Sequence, residues 1–154
     1  LLFLTAAINI YYLPKLASIS ERSALAGELR NAYQHILPAV LVLAALVYVA
    51  RDWVTRLLFS TDFTSADSLY APQLIGDVIK IASFVLSYVM LAKAMTRLFV
   101  ASEIAFGLSY LLLVYLCTAH FGLVGAMYAF AINYTGYLLF NVLVVRHYLG
   151  GLRT

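Results

Sequence analysis

Long apolar runs, broken by short charged or proline- and glycine-bearing stretches, set the rhythm of this 154-residue chain. A helix that crosses a bilayer needs about 20 mostly apolar residues, and five runs approach that length. They cover Leu1 to about Leu13 (truncated), about Tyr33 to Ala50, Pro72 to about Met95, about Leu98 to Ala119, and about Leu123 to Val145. Pro14 and Lys15 are expected to end the first run, because proline lacks a backbone donor and disfavours helical geometry in the residue before it. The stretch from Lys15 to Asn31 carries Glu21, Arg22, Glu28 and Arg30 among Ser and Ala, which suits an interfacial helical connector. Pro38 near the entry of the second run predicts a kink that a membrane bundle tolerates. Residues 54–59 read as a short apolar turn and 61–70 as a polar loop, with Pro72 in the first turn of the third run. His120, Phe121 and Gly122 form a tight loop, so the last two runs predict a helical hairpin.

Composition supports the same solvent. Hydrophobic residues make up 64% of the chain and charged residues 11%, with a mean hydropathy of +0.94, whereas soluble domains carry roughly a quarter charged residues. A soluble fold of this size has too much surface to cover for so few polar side chains, while lipid accepts apolar side chains on the outside of a bundle. The fold class is therefore all-α, a polytopic transmembrane helical bundle of about five spans. The chain opens on Leu1 without a basic leader region, so it is expected to begin inside a helix and to be the C-terminal part of something longer. The whole of 1–154 then reads as one transmembrane lobe.

Charge adds an orientation. Seven of the ten basic residues fall on one side of the proposed spans: Lys15, Arg22, Arg30, Lys93, Arg97, Arg146 and Arg153. Arg51 and Arg56 fall on the other, and Lys80 lies within the third span. Basic residues near span ends are retained in the cytoplasm, which places the connector, the Lys93–Arg97 turn and the C-terminus there and the Arg51–Tyr70 loop outside. Tyr11, Tyr12, Tyr33, Tyr48, Tyr70, Tyr148 and Trp53 near span ends fit an aromatic belt, although other tyrosines lie deeper. The net charge of +3 is spread too thinly for a nucleic-acid groove. A lone cysteine, Cys117, excludes an internal disulfide or a cysteine-based metal site.

Within the spans, charge has to be explained. An ionised side chain at membrane depth costs at least about 2.5 to 3.5 kcal/mol on insertion scales. By helical rise, Asp77 lies roughly 7 to 9 Å and Lys80 roughly 12 Å inside Pro72, and their spacing puts them on one face, close enough to pair. Either they neutralise each other as a packing pair, or they line a hydrated cavity that attracts an ionic substrate or coupling ion. The second reading is preferred, because intramembrane charges usually mark a pathway. Glu103, behind Arg97 and Lys93, fits interfacial snorkelling and a pathway role equally. Asn9, Gln73 and Asn133 read as interhelical hydrogen-bonding groups, and Gly125, Ala129 and Asn133 form a small-residue stripe for close helix approach. Asn133-Tyr134-Thr135 matches a glycosylation sequon but lies within a span. His35, His120 and His147 are far apart, and no nucleophile-elbow, phosphate-loop, zinc or paired-cysteine motif occurs. No enzyme activity, metal or cofactor is expected.

The string Gln73-Leu-Ile-Gly-Asp77-Val-Ile-Lys80, with Leu91-Ala-Lys93-Ala, Arg97 and Glu103, resembles the C-terminal half of bacterial lipid-linked oligosaccharide flippases. This branch of the multidrug and polysaccharide exporter superfamily includes the flippases for O-antigen and enterobacterial common antigen. Tyr12-Leu-Pro14-Lys-Leu, His35-Ile-Leu-Pro38-Ala, Arg51-Asp52 and Gly122-Leu-Val-Gly125-Ala agree with it. The resemblance implies about twelve spans in two lobes around a central cavity, with this chain most of the second lobe and the N-terminal lobe missing. It also implies alternating-access transport of an undecaprenyl-pyrophosphate-linked oligosaccharide across the inner membrane. The substrate would be lipid III or an O-antigen unit, with membrane lipids, a polysaccharide polymerase and a chain-length regulator as partners. Lys80 and Arg97 would supply positive charge to the headgroup, and Asp77 would set their state or couple to an ion. A small-molecule exporter of the same superfamily, a membrane-bound polymerase or ligase, and a structural subunit without substrate stand as alternatives.

Overall fold

The computed structural model describes residues 10, 12–53 and 67–151, and these form an all-α bundle. Helix α1 covers 12–18, α2 Arg22–Val49, α3 Asp67–Ala92, α4 Thr96–Phe121 and α5 Leu123–Gly151. All but α1 are long and apolar enough to cross a membrane. Most of the first expected span, the turn and loop expected over 54–66, Asn9, Arg56 and Arg153 lie outside the described residues.

Helix boundaries differ from the sequence reading wherever proline was given the deciding role. Helix α1 runs through Pro14 to residue 18, and Pro38 sits inside an uninterrupted α2. That helix starts at Arg22, so half of the expected connector belongs to it. Helix α3 begins at Asp67, so Pro72 lies beyond its first turn. Each proline removes one hydrogen bond, a loss that the rest of a long helix outweighs.

Helix α3 forms the centre, packed chiefly against α5 and also against α2. Its buried residues Val85, Leu86 and Val89 meet Leu16 of α1, Leu25, Leu29 and Ala32 of α2, and Val145 of α5 in one cluster. Tyr33 of α2 ties in by donating to the Ala82 carbonyl of α3 at 2.6 Å. Along α5 every fourth residue is buried, from Gly125 through Ala129, Asn133, Tyr137 and Asn141 to Val145, so the small-residue stripe is the packed edge of that helix. A Cβ on Gly125 would overlap the Cys117 carbonyl and stand 2.8 Å from the Thr118 nitrogen, which shows how closely α4 and α5 approach. Between them lies a single residue, Gly122, whose φ of +61° suits glycine. By contrast Ser102 is the one buried residue of α4, and the exposed surface of that helix includes Ile104, Leu108, Leu111 and Leu112, an apolar exterior suited to lipid.

One end of the bundle gathers basic residues. The Lys93 ammonium donates to the carbonyls of Leu16 (2.8 Å) and Ile19, satisfying acceptors that the end of a helix leaves without partners. Burial there holds its pKa below the usual lysine value. Lys15 pairs with Glu28 at 2.7 Å and fastens α1 to α2. Tyr148 and Leu149 of α5 pack on the same cluster as Leu16 and Leu25, so the C-terminal end of α5 lies at this end too.

Candidate functional site

Lys80 occupies the middle of α3, and its ammonium sits among three aromatic rings: Phe84 one turn on (5.6 Å), and Phe130 (5.5 Å) and Tyr134 (5.2 Å) from α5. Each ring presents the negative lobe of its quadrupole, an attraction of about 2 kcal/mol where water is excluded. The rings support one another, Phe130 on Tyr134 at 4.8 Å and Phe84 edge-on to Tyr134 at 6.2 Å. Gly76 makes the arrangement fit. A Cβ there would overlap Cδ1 of the Phe130 ring and lie 2.9 Å from its Cε1, so glycine lets α3 approach the ring that flanks the lysine a turn away.

Asp77 and Lys80 share the helix but form no ion pair. The Asp77 carboxylate instead accepts from Gln73 Nε2 at 3.5 Å, while Lys80 acts on it only at longer range. The ion pair that their spacing would allow does not form, because Phe84 and the α5 rings offer faces to the lysine and Gln73 bonds the aspartate. Gln73 therefore bonds within its own helix and not between helices. Arg97 is exposed in the first turn of α4, which by helical rise puts it roughly 18 Å along the bundle axis from Lys80. The structure does not bring those two cations together.

Glu103 lies between these levels and faces α5, where the Tyr137 hydroxyl donates to its Oε1 at 2.5 Å. Both residues border a cleft of about 90 Å³ that is also lined by Phe106, Gly107, Tyr110, Asn133 and Tyr134. Tyr134 thus has one ring in two settings, as a flank of Lys80 and as a wall of this cleft. Behind it, Ser83 donates to the Tyr134 carbonyl at 3.2 Å, and the fully buried Asn141 reaches the Ser83 carbonyl at 3.5 Å. Asn133 is buried with its Oδ1 lacking a partner. Between α3 and α5 the polar bonds therefore fall to Ser83 and Asn141, which sequence reasoning passed over, and not to Asn133. The available signal was the four-residue spacing that extends the Gly125 stripe to Asn141.

These features define a polytopic α-helical membrane protein whose central helices carry a shielded cation beside a polar, aromatic-walled cleft. The chain is 35% identical over 136 residues to the Lipid III flippase of Escherichia coli (strain K12), and equally to the Lipid III flippase of Shigella flexneri. The match covers 88% of this chain and 32% of either relative, so the chain spans about a third of the length of the curated relatives it matches. The resemblance to lipid-linked oligosaccharide flippases read from the sequence is borne out by this similarity. No protein-family model matches the chain, and no solved structure matches it significantly.

Proposed function

We propose that the chain is part of a flippase, a transporter and not an enzyme, that moves undecaprenyl-pyrophosphate-linked oligosaccharide across the bacterial inner membrane for surface polysaccharide synthesis. Lipid III or a related O-antigen unit is the substrate. The observation that carries this reading is the similarity to two Lipid III flippases along 88% of the chain. The chemistry of the site agrees with it. Lys80 is a cation held by ring faces and not by a carboxylate, so pyrophosphate oxygens can replace weak ring contacts with charge-assisted hydrogen bonds. Asp77, next to it, tunes the charge the headgroup meets, and Arg97 serves at the basic end where the headgroup enters. The gathering of Lys15, Lys93 and the end of α5 at one end supports a cytoplasmic C-terminus. The greater length of the relatives leaves room for a facing lobe that completes the cavity. A polysaccharide polymerase and a chain-length regulator are the protein partners in this reading.

The test uses the full-length protein in a strain lacking its own flippase, with surface glycan, accumulated lipid-linked precursor and protein level all measured. Lys80→Ala is expected to lower export about tenfold or more, the factor that accompanies a loss of ~1.4 kcal/mol, while precursor accumulates. Because Asp77 and Lys80 are not paired, the double change Asp77→Ala with Lys80→Ala is expected to export no better than either single change. Restored export in the double variant would instead make the two a packing pair and remove them from the pathway.

A further inference from the structure

We propose that Gln73 and Asp77 form a sugar-reading subsite, which bonds the hydroxyl groups of the sugar attached directly to the pyrophosphate and so sets which headgroups the protein accepts. The inference rests on the reading of Lys80 as the partner of the pyrophosphate.

Gln73, Asp77, Lys80 and Phe84 fall within about 60° of arc on α3, at roughly 100° per residue, and each is half-buried. Both flanks of this face are closed. On one side Gly76 lies against the Phe130 ring of α5, and on the other Val78 packs with Val40 of α2. The polar face therefore opens between α2 and α5. Beyond Lys80 the Phe84 ring ends the polar run, so a headgroup anchored at Lys80 extends in one direction only, along Asp77 and Gln73. By helical rise these two lie roughly 4.5 and 10.5 Å from Lys80 along the axis, a length that suits one sugar ring next to the phosphate.

Hydrogen-bonding capacity is left over there. The contact from Gln73 Nε2 to Asp77 Oδ1, at 3.5 Å, is long for a hydrogen bond, and it is the one bond that either side chain makes among the described residues. It holds the two groups side by side while leaving Asp77 Oδ2, Gln73 Oε1 and one amide hydrogen for a ligand. Charge then selects the ligand class. A second anionic group is repelled by the Asp77 carboxylate and a free cation by the Lys80 ammonium, whereas a neutral polyhydroxyl ring donates to the carboxylate and bonds the amide in both senses. The same signs fix the order of the headgroup, with pyrophosphate at Lys80 and sugar at Asp77.

The experiment measures binding of three probes to the purified full-length protein in lipid nanodiscs: undecaprenyl pyrophosphate, and the same lipid carrying one glucose or one N-acetylglucosamine. At least one sugar-bearing probe is expected to bind about tenfold more tightly than the sugarless one, the factor that one charge-assisted hydrogen bond supplies. Gln73→Leu and Asp77→Ala should each bring that ratio close to one, while affinity for the sugarless lipid holds or, in Asp77→Ala, rises as the carboxylate leaves. Asp77→Asn should keep part of the ratio, and it keeps the test decisive if Asp77→Ala fails to fold. A merely structural defect would weaken all three probes alike and leave the ratio unchanged. An unaltered protein that binds none of the probes would remove the flippase reading and this subsite with it. Tight binding with no preference for sugar, or a preference that survives both Gln73→Leu and Asp77→Ala, would overturn the subsite and leave the reading of Lys80 standing.

Discussion

Gly76 shows how much one missing methyl can decide. Its would-be Cβ runs into the Phe130 ring, and that ring is one of three against the Lys80 ammonium. Gly76→Ala is therefore expected to push the ring from the lysine, destabilising the protein by about 1–3 kcal/mol as overpacking does and lowering export while insertion persists. Thermal unfolding in detergent, paired with the glycan assay, checks both effects. Ala94 is the opposite case. It caps α3 in the left-handed region at φ 57°, with Ala94 N–H bonded to the Leu91 carbonyl and Met95 N–H to the Met90 carbonyl, a Schellman arrangement that glycine fills without strain. Ala94→Gly should stabilise by about 0.5–1 kcal/mol, since left-handed alanine costs about 1 kcal/mol and glycine gives part of that back through unfolded-state entropy; a lower Tm than the unchanged protein would contradict it. Charged positions were legible from the chain because any ionised group in a span stands out, so Asp77, Lys80 and Glu103 were found. Their partners were not, because ring faces from α5 and a tyrosine hydroxyl carry no signal in a sequence already rich in tyrosine.

Helices were legible as apolar runs, and the hairpin around Gly122 was legible from a glycine between two of them. Their ends were not. Charge and proline marked boundaries at Pro14, Asn31 and Pro72, while the backbone continued across all three, since helical hydrogen bonding persists wherever enough neighbours supply donors. The polar end of α2 illustrates why: residues Leu25, Leu29 and Ala32 bury an apolar edge in the same cluster as α3, so tertiary packing extends a helix that composition assigned to a connector. Lys93 was legible only as one of the charges that set orientation. Its two bonds to carbonyls at the end of α1 give it a second task, holding that short helix against the α3–α4 turn. Lys93→Met keeps the stem and removes the donors, and is expected to loosen α1. Faster hydrogen exchange over 12–21 with little change in α5 would bear this out, and uniform exchange across the bundle would not.

For the whole molecule, orientation rests on a count of basic residues, and the fold is compatible with that count because contacts bring the ends of α1, α3 and α5 together. With Cys117 and any other cysteine of the full-length protein replaced by Ala, an impermeant maleimide should label Trp53→Cys in intact cells and Arg146→Cys only after permeabilisation. The reverse pattern would invert the proposed topology. Surface residues such as exposed Trp53 and Arg146 suit the labelling because neither enters the core.

Helix α4 carries Glu103 yet buries almost none of its own side chains, so its position is set mainly by α5 and by the single residue that joins them. One residue in an α-helix corresponds to about 100° of rotation and 1.5 Å of rise. Gly122 therefore acts as a phase setting: lengthening the joint by one residue would turn α4 against α5 and carry Glu103 out of line with Tyr137, although no wall of the cleft had been changed. The geometry of that cleft is thus stored partly in the length of a turn that lies at the far end of both helices.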